Sequence, residues 1–111
     1  MSATFNEEKY MNDINIFDVI SCYVKLFDQG NGIYTGKLED RWDDTHSIRV
    51  DTNQNRAWSD GQEMGLGDLE EMIDFYEQGK SIFPGPYKSI AYEKLEAITG
   101  HNPNDYWIED K

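Results

Sequence analysis

The chain has a single cysteine, Cys22, among its 111 residues, and this scarcity limits its chemistry. One cysteine cannot form an intramolecular disulfide, and it cannot supply a metal site built from several thiolates. Cys22 lies in a helical pattern with no histidine near it in sequence, so we expect a small buried hydrophobic side chain rather than a nucleophile. The cysteine content favours a reducing, cytoplasmic environment.

Long apolar runs are also lacking. No stretch approaches the roughly 20 residues that cross a bilayer, and the first ten residues carry charges where a signal peptide has its apolar centre. We therefore expect no membrane contact and no export. The hydrophobic fraction of 38%, with 14% aromatic residues, is enough for one small core, which predicts a single domain over 1–111.

The motifs of common enzyme classes are missing as well. The chain has no glycine-rich phosphate loop with its lysine, no nucleophile elbow and no obvious acid and base pair. His46 lies among acidic residues that could in principle collect a divalent cation, but they follow no fixed ligand spacing and are interpreted as a solvated loop. We predict a non-enzymatic protein without a metal or cofactor. The acidic neighbours of His46 are Glu39, Asp40, Asp43 and Asp44.

Basic residues are scarce: 10 lysines and arginines stand against 22 aspartates and glutamates, which gives a net charge of -12. Such a charge repels a phosphate backbone unless the few basic groups share one face. A basic protein surface is the electrostatically favoured partner. The alternative is that the charge serves only to keep a small protein well solvated.

Periodicity predicts an α+β fold with an N-terminal helix, a small three-stranded antiparallel meander and two C-terminal helices against one face. The first helix begins after a cap at Asn15 and runs to Phe27. Strands follow at 33–38, 45–50 and 56–59, with Trp58 anchoring the apolar side. Asp68 and Glu71 form a capping box at the second helix. The stripe that this helix buries is Leu69, Met72, Ile73 and Tyr76, with the acidic residues facing water.

The remaining segments lie at the ends and between the last two helices. Residues 1–12 show no sustained periodicity, which predicts a flexible or loosely docked arm. Residues 79–88 contain Pro84-Gly85-Pro86 and read as an exposed loop. Ser89 opens the third helix, which buries one side and stops at Gly100. The acidic tail, 101–111, is expected to pack back through Tyr106, Trp107 and Ile108, and the expected buried side of the third helix is Ile90, Ala91, Leu95 and Ile98.

Several motifs between residues 14 and 100 together resemble the zinc-binding domain of bacterial DNA primases and of primase-like proteins from phages, plasmids and conjugative elements. The resemblance implies a zinc-ribbon-like sheet. The matching residues are Ile14, Ile16, Asp18, Val19, Ile20, Tyr23, Val24 and Leu26 in the first helix; Tyr34 and Gly36; Ser47, Ile48 and Val50; Trp58; Gly67, Asp68, Ile73, Asp74 and Phe75; and Leu95, Ile98 and Gly100.

The family's four zinc ligands are replaced in this chain. Leu38 and Arg41 stand at the Cys-x-x-His pair, and Asp60 with Gln62 or Glu63 stands at the Cys-x-x-Cys pair. Leucine and arginine do not bind zinc, and structural zinc takes four thiolate or imidazole ligands. We therefore expect a degenerate, metal-free version of the fold.

The resemblance implies a non-catalytic accessory protein of replication or mobile-element transfer that docks on a replication protein or on single-stranded DNA. Docking on a protein is the preferred version. Strand binding would use the outward face of the meander, where stacking and phosphate contacts combine. Two of the aromatic candidates, Tyr34 and Trp42, are equally explained as core or loop anchors. The candidate residues are Tyr34, Lys37, Arg41, Trp42, Arg49 and Arg56.

An alternative follows from the charge: an acidic mimic of DNA that inhibits a nucleic-acid enzyme, as anti-restriction and anti-CRISPR proteins do. Its carboxylates would lie on the exposed side of the second helix. A separate aromatic patch of Pro84, Tyr87 and Trp107 could receive a protein partner, although packing of the tail explains it as well. The carboxylates of the mimic hypothesis are Asp68, Glu70, Glu71, Asp74 and Glu77.

Overall fold

A computed structural model describes residues 3–39, 44–79 and 89–109. Arg41 and Trp42, the acidic residues Asp40 and Asp43, and the loop with Pro84 and Tyr87 lie outside these residues. The described part is an α+β fold. Its elements in chain order are β1 (Ala3–Phe5), α1 (Glu7–Asp13), α2 (Ile16–Ser21), β2 (Phe27–Gly30), β3 (Ile33–Glu39), β4 (Thr45–Asp51), β5 (Arg56–Ser59), β6 (Gln62–Glu63), α3 (Leu66–Gln78), α4 (Ala91–Thr99), a 3-10 turn (Pro103–Tyr106) and β7 (Trp107–Glu109).

The central sheet is antiparallel, with the strand order β2-β3-β4-β5-β6. The predicted meander is confirmed as β3 to β5, but the expectation of three strands is wrong because a hairpin extends the sheet at each edge. On one side, Gly30, Asn31 and Gly32 all have positive φ and form the tight turn that returns β2 along β3. On the other side, Asp60 and Gly61 form a two-residue turn into β6.

The helix that the sequence predicts after Asn15 is α2, and it is much shorter than the hydrophobic spacing predicts. Asn15 caps it as expected, accepting hydrogen bonds from the backbone N–H groups of Phe17 and Asp18, but the helix ends at Ser21. Cys22 follows as the C-cap and is exposed, so the expectation of a buried cysteine is wrong. Phe27 belongs to β2 instead of the helix, because pairing with β3 satisfies its backbone groups.

The turn after α2 crosses the sheet at Gly36. A Cβ atom at this position would lie 2.5 Å from the carbonyl oxygen of Lys25 and 3.0 Å from a methyl carbon of Val24. Glycine is therefore required for the chain to pass this close over β3.

Residues 3–12 form β1 and most of α1 and pack on the fold, whereas the sequence pattern predicts no regular structure there. Tyr10 on α1 is fully buried, and its hydroxyl donates a hydrogen bond to the carbonyl oxygen of His101 at 2.9 Å. The predicted return of the tail is confirmed. Tyr106 packs edge-on against Tyr10, with ring centroids 4.9 Å apart, and β7 pairs with β1. Trp107 and Ile108 remain about half exposed.

The helix α3 begins earlier than predicted, with Gly65 as its N-cap. Asp68 lies inside the first turn, and its carboxylate accepts a hydrogen bond from the Gly65 N–H at 2.9 Å. The expectation that Asp68 is the cap residue is therefore wrong by three positions. The buried stripe is confirmed at Leu69, Met72 and Ile73.

In the described part of the chain, a hydrophobic core joins the helices α1 to α4 to one face of the sheet. The strands contribute Ile48, Val50 and Ala57 to this core, and α4 contributes Ala91 and Leu95. The helix α4 ends at Gly100, as predicted, and this glycine has the left-handed conformation. Among the described residues, no helix is long and apolar enough to cross a bilayer. The other face of the sheet carries the candidate site.

Candidate nucleic-acid interface

The strand register places one side chain from each of the five strands in a single line across the sheet. Directly opposed residues in antiparallel strands share a face. Phe27 pairs with Thr35, Thr35 with Arg49, Arg49 with Trp58, and Trp58 with Glu63. We call these five residues the cross-strand row. They lie on the face opposite to the core, which we call the outer face.

Two aromatic rings of the row are each associated with a cation. Phe27 is 52% exposed, and the Nζ atom of Lys25 lies 5.4 Å from its ring centroid. The guanidinium carbon of Arg49 lies 5.2 Å from the centroid of the Trp58 ring. Each cation is within the distance at which the ring quadrupole attracts it. The outer face therefore presents stacking surfaces and positive charge together.

Further basic groups flank the row. Lys37 and Ser47 form an opposed pair next to it, and the Lys37 Nζ donates to the Ser47 Oγ at 3.1 Å. Arg56 forms an exposed ion pair with Glu63, with the two charged groups 2.8 Å apart. Other described basic residues pair with carboxylates on helices: Lys9 with Asp13, and Lys94 with Glu77.

A groove of about 680 Å³ runs over this face, and Asp60 lies at its edge. One Asp60 oxygen lies 2.5 Å from the His46 Nδ1, and the other accepts a hydrogen bond from the Ser47 N–H at 2.9 Å. These contacts, that of His46 foremost, hold the pKa of Asp60 below its usual value. Asp60 is therefore ionised at neutral pH, and its negative charge lies at the edge of the basic surface.

The sheet brings together only part of the predicted site. Lys37, Arg49 and Arg56 lie on the outer face, and their role in binding stays a prediction. Tyr34 is opposite Val50 on the core face, where its ring packs on Phe17 with centroids 4.6 Å apart, so its placement in the site is wrong. The other two predicted residues, Arg41 and Trp42, lie outside the described residues.

Two aromatic members of the site were missed by sequence reasoning. The sequence pattern places Phe27 in the first helix and Trp58 on the apolar side of the meander. The structure places Ala57 in the core instead, and Trp58 next to it faces outward. Alternation in β5 is the signal that identifies Trp58, because Arg56 and Trp58 are two residues apart and must share a face.

The acidic row on α3 is largely engaged within the protein. Asp74 is 3% exposed and accepts hydrogen bonds from the Ser89 hydroxyl at 2.6 Å and the Ile90 N–H at 3.0 Å, so the expectation that it faces water is wrong. Its buried carboxylate caps the start of α4. Glu77 accepts a hydrogen bond from the Tyr23 hydroxyl at 2.9 Å. Burial and this contact both raise the pKa of Tyr23.

The other carboxylates of that row differ in their surroundings. Asp68 accepts a hydrogen bond from the backbone N–H of Gly65, the N-cap of its own helix. Glu70 accepts a hydrogen bond from Tyr92, whose pKa is raised by burial first and by this contact second. Glu71 is exposed. The carboxylates of α3 therefore do not form a uniform exposed set of phosphate-like charges.

Two of the positions that the resemblance matches to zinc ligands, Leu38 and Asp60, lie among the described residues. Leu38 is a half-buried side chain opposite His46, and the Asp60 carboxylate is engaged by His46 and Ser47. Across the described ranges, no group of three or more histidine, cysteine, aspartate or glutamate side chains is placed to bind a metal ion.

Comparison with known proteins gives no match among family models, curated proteins or solved structures. The resemblance to primase zinc-binding domains therefore stays a prediction that rests on the residues quoted for it. Function is inferred from the chemistry of the outer face.

Proposed function

We propose that the protein is a non-catalytic accessory module that binds single-stranded DNA on the outer face of its sheet. The observation that supports this most is the convergence of Phe27, Arg49 and Trp58 in one cross-strand row. Aromatic rings accept unpaired bases, and neighbouring cations neutralise phosphates. The resemblance to primase zinc-binding domains suggests replication or mobile-element transfer as the setting, with a replication protein as a further partner.

The face favours a single strand over a duplex. In a duplex the flat surfaces of the bases are already stacked on each other, so rings on a sheet gain little from them. In a single strand each base can stack on an aromatic ring, which is worth about 1–3 kcal/mol per base. The net charge of -12 adds a general repulsion that a long duplex meets at every phosphate.

The net charge of -12 is expected to repel the phosphates of DNA, but basic groups are concentrated at the proposed binding surface. Lys25, Lys37 and Arg49 lie on or beside the row, whereas the carboxylates of α3 belong to the helical side of the fold. Local contacts act at short range, because charges separated by more than about 8 Å are largely screened at physiological salt. A strand held on the row therefore lies close to Lys25, Lys37 and Arg49, and of the nearby carboxylates Glu63 is paired with Arg56 while Asp60 lies at the edge of the groove.

An acidic mimic of DNA is the second candidate, and the net charge of -12 favours it. In that case α3 would present its carboxylates to a basic enzyme. The engagement of Asp74 and Glu77 within the fold counts against this role, because carboxylates that already accept hydrogen bonds are poorly placed to replace phosphates.

The test is a titration of a labelled single-stranded oligonucleotide with the purified protein at low and moderate salt. We expect saturable binding that weakens as salt rises, because bound phosphates release counterions. Arg49→Glu is expected to abolish it. Lys94→Glu makes the same charge change on α4 and is expected to preserve binding. Absence of saturable binding at low salt would overturn the proposal, and a basic protein partner would then be sought.

A further inference from the structure

The distance between the two rings of the row is fixed by the strand register. Phe27 is in β2 and Trp58 is in β5, so three strand spacings separate them. At roughly 4.8 Å per spacing, the two positions are about 14 Å apart across the sheet. Side chains stand roughly perpendicular to a sheet, so the rings keep a separation of this order.

This separation is too large for neighbouring bases. Consecutive bases of a stacked strand are only about 3.4 Å apart, so a stacked strand covers about 14 Å in roughly four steps. A strand whose bases are splayed apart covers the same distance in fewer steps. Bases on both rings must therefore belong to nucleotides that are not adjacent.

The residues between the rings suit the backbone of such a strand. Thr35 has a short side chain, and Arg49 follows it in the row with its guanidinium exposed on the outer face. Lys25 stands beside the Phe27 ring at one end. At the other end Glu63 closes the row, with its charge paired by Arg56. Positive charge thus lies along the path between the rings.

We propose that the outer face binds a segment of three to five nucleotides that runs across the strands. One terminal base stacks on Phe27, the other stacks on Trp58, and the phosphates between them lie at Arg49. This inference rests on the proposed function and adds the length and the path of the bound strand. A dinucleotide reaches one ring only.

The experiment measures the affinity of thymidine oligonucleotides from two to eight nucleotides long. For the unaltered protein we expect a rise of at least about fivefold between the dinucleotide and the pentanucleotide, as the second ring is engaged. Phe27→Ala is expected to remove this rise and to leave dinucleotide binding within about twofold, since Trp58 remains. Phe27→Tyr keeps a ring and is expected to keep the rise.

Trp107→Ala is the matched control, because Trp107 is 53% exposed on the ribbon of β1 and β7, almost the same as Phe27. It is expected to leave the dependence on length unchanged. A rise that persists in Phe27→Ala, or an affinity that grows evenly with length, would overturn the two-ring path while leaving the proposed function intact. Absence of binding at every length would overturn the proposed function and this inference with it.

Discussion

Arg49 and Trp58 face each other across β4 and β5, with the guanidinium carbon 5.2 Å from the ring centroid. At an exposed site such a contact contributes about 0.5–1 kcal/mol. It holds a positive charge and a stacking surface side by side within the cross-strand row. The pair is therefore the part of the outer face on which the proposed binding most depends.

Arg49→Ala is expected to lower DNA affinity and to reduce the slope of log affinity against log salt by about 0.7, the value of one phosphate contact on a single strand. Arg49→Lys keeps the charge and is expected to keep the slope while losing part of the affinity, because a lysine stacks less well on Trp58. Titrations at several salt concentrations measure both quantities. Equal slopes for Arg49→Ala and the unaltered protein would mean that Arg49 contacts no phosphate.

Asp74→Ala is expected to destabilise the fold by about 1–3 kcal/mol, because the Ser89 hydroxyl and the Ile90 N–H lose a buried acceptor at the start of α4. Glu71→Ala removes an exposed carboxylate from the same helix and is expected to change stability by less than about 0.5 kcal/mol. Urea unfolding followed by circular dichroism measures the two free energies. Similar values for both variants would contradict the capping role of Asp74.

Gly36→Ala is expected to destabilise the protein by about 1–3 kcal/mol, because its Cβ would lie 2.5 Å from the Lys25 carbonyl oxygen and push the turn away from β3. Gly67→Ala is the control: on α3 the added Cβ meets nothing within 4 Å, and alanine favours a helix. We expect that control to be neutral or slightly stabilising. Thermal melting compares the two, and an unchanged melting temperature for Gly36→Ala would refute the close crossing.

Asp13 links α1 to the tail, and its contribution to stability is expected to depend on pH. Its carboxylate accepts hydrogen bonds from Lys9 and Tyr106, both at 2.8 Å, and these contacts lower its pKa below 3.8. The folded state thus binds its proton less tightly than the unfolded state. The contribution is complete well above the ordinary value of 3.8, where the unfolded carboxyl is also ionised, and is lost as the pH falls through the lower folded value.

Unfolding of the native protein and of Asp13→Asn between neutral and acidic pH tests this. We expect the native protein to be more stable near neutral pH and the difference to shrink below pH 3.8. A difference that is constant over the whole range would show that the Asp13 charge has no part in it.

The elements that could be predicted from sequence are those specified by local patterns. The alternation of Ile48 and Val50 fixes the inner face of β4, and the spacing of Leu69, Met72 and Ile73 fixes the inner side of α3. Each of these patterns lies within a single segment, so it can be interpreted without knowing what the segment packs against. The Asp60-Gly61 dipeptide is a further local signal, because a dipeptide of this type favours the two-residue hairpin turn that joins β5 to β6.

The elements that could not be predicted depend on distant partners. Tyr10 is buried only because the tail returns, with His101 and Tyr106 completing its surroundings. The spacing of residues 16–27 is helical throughout, yet Phe27 pairs with β3 once the glycine turn brings it back. Propensity is a weak guide wherever tertiary pairing competes with it.

Errors in the candidate site have a different origin. Tyr34 and Lys37 are three residues apart, so strand alternation already places them on opposite faces, and both could not lie on the outer one. Phe27 and Trp58 enter the site through the register of several strands, which a single sequence does not specify. The sequence therefore predicts Lys37 and Arg49 on the outer face but not the two rings that lie beside them.

The most direct test of the account is to map backbone amide chemical shifts by NMR while a thymidine pentanucleotide is added. The account predicts that the largest changes fall on Phe27, Thr35, Arg49 and Trp58, in four of the five strands of the row. Changes concentrated on α3, or on the ribbon of β1 and β7, would contradict it, as would a spectrum that does not change at all.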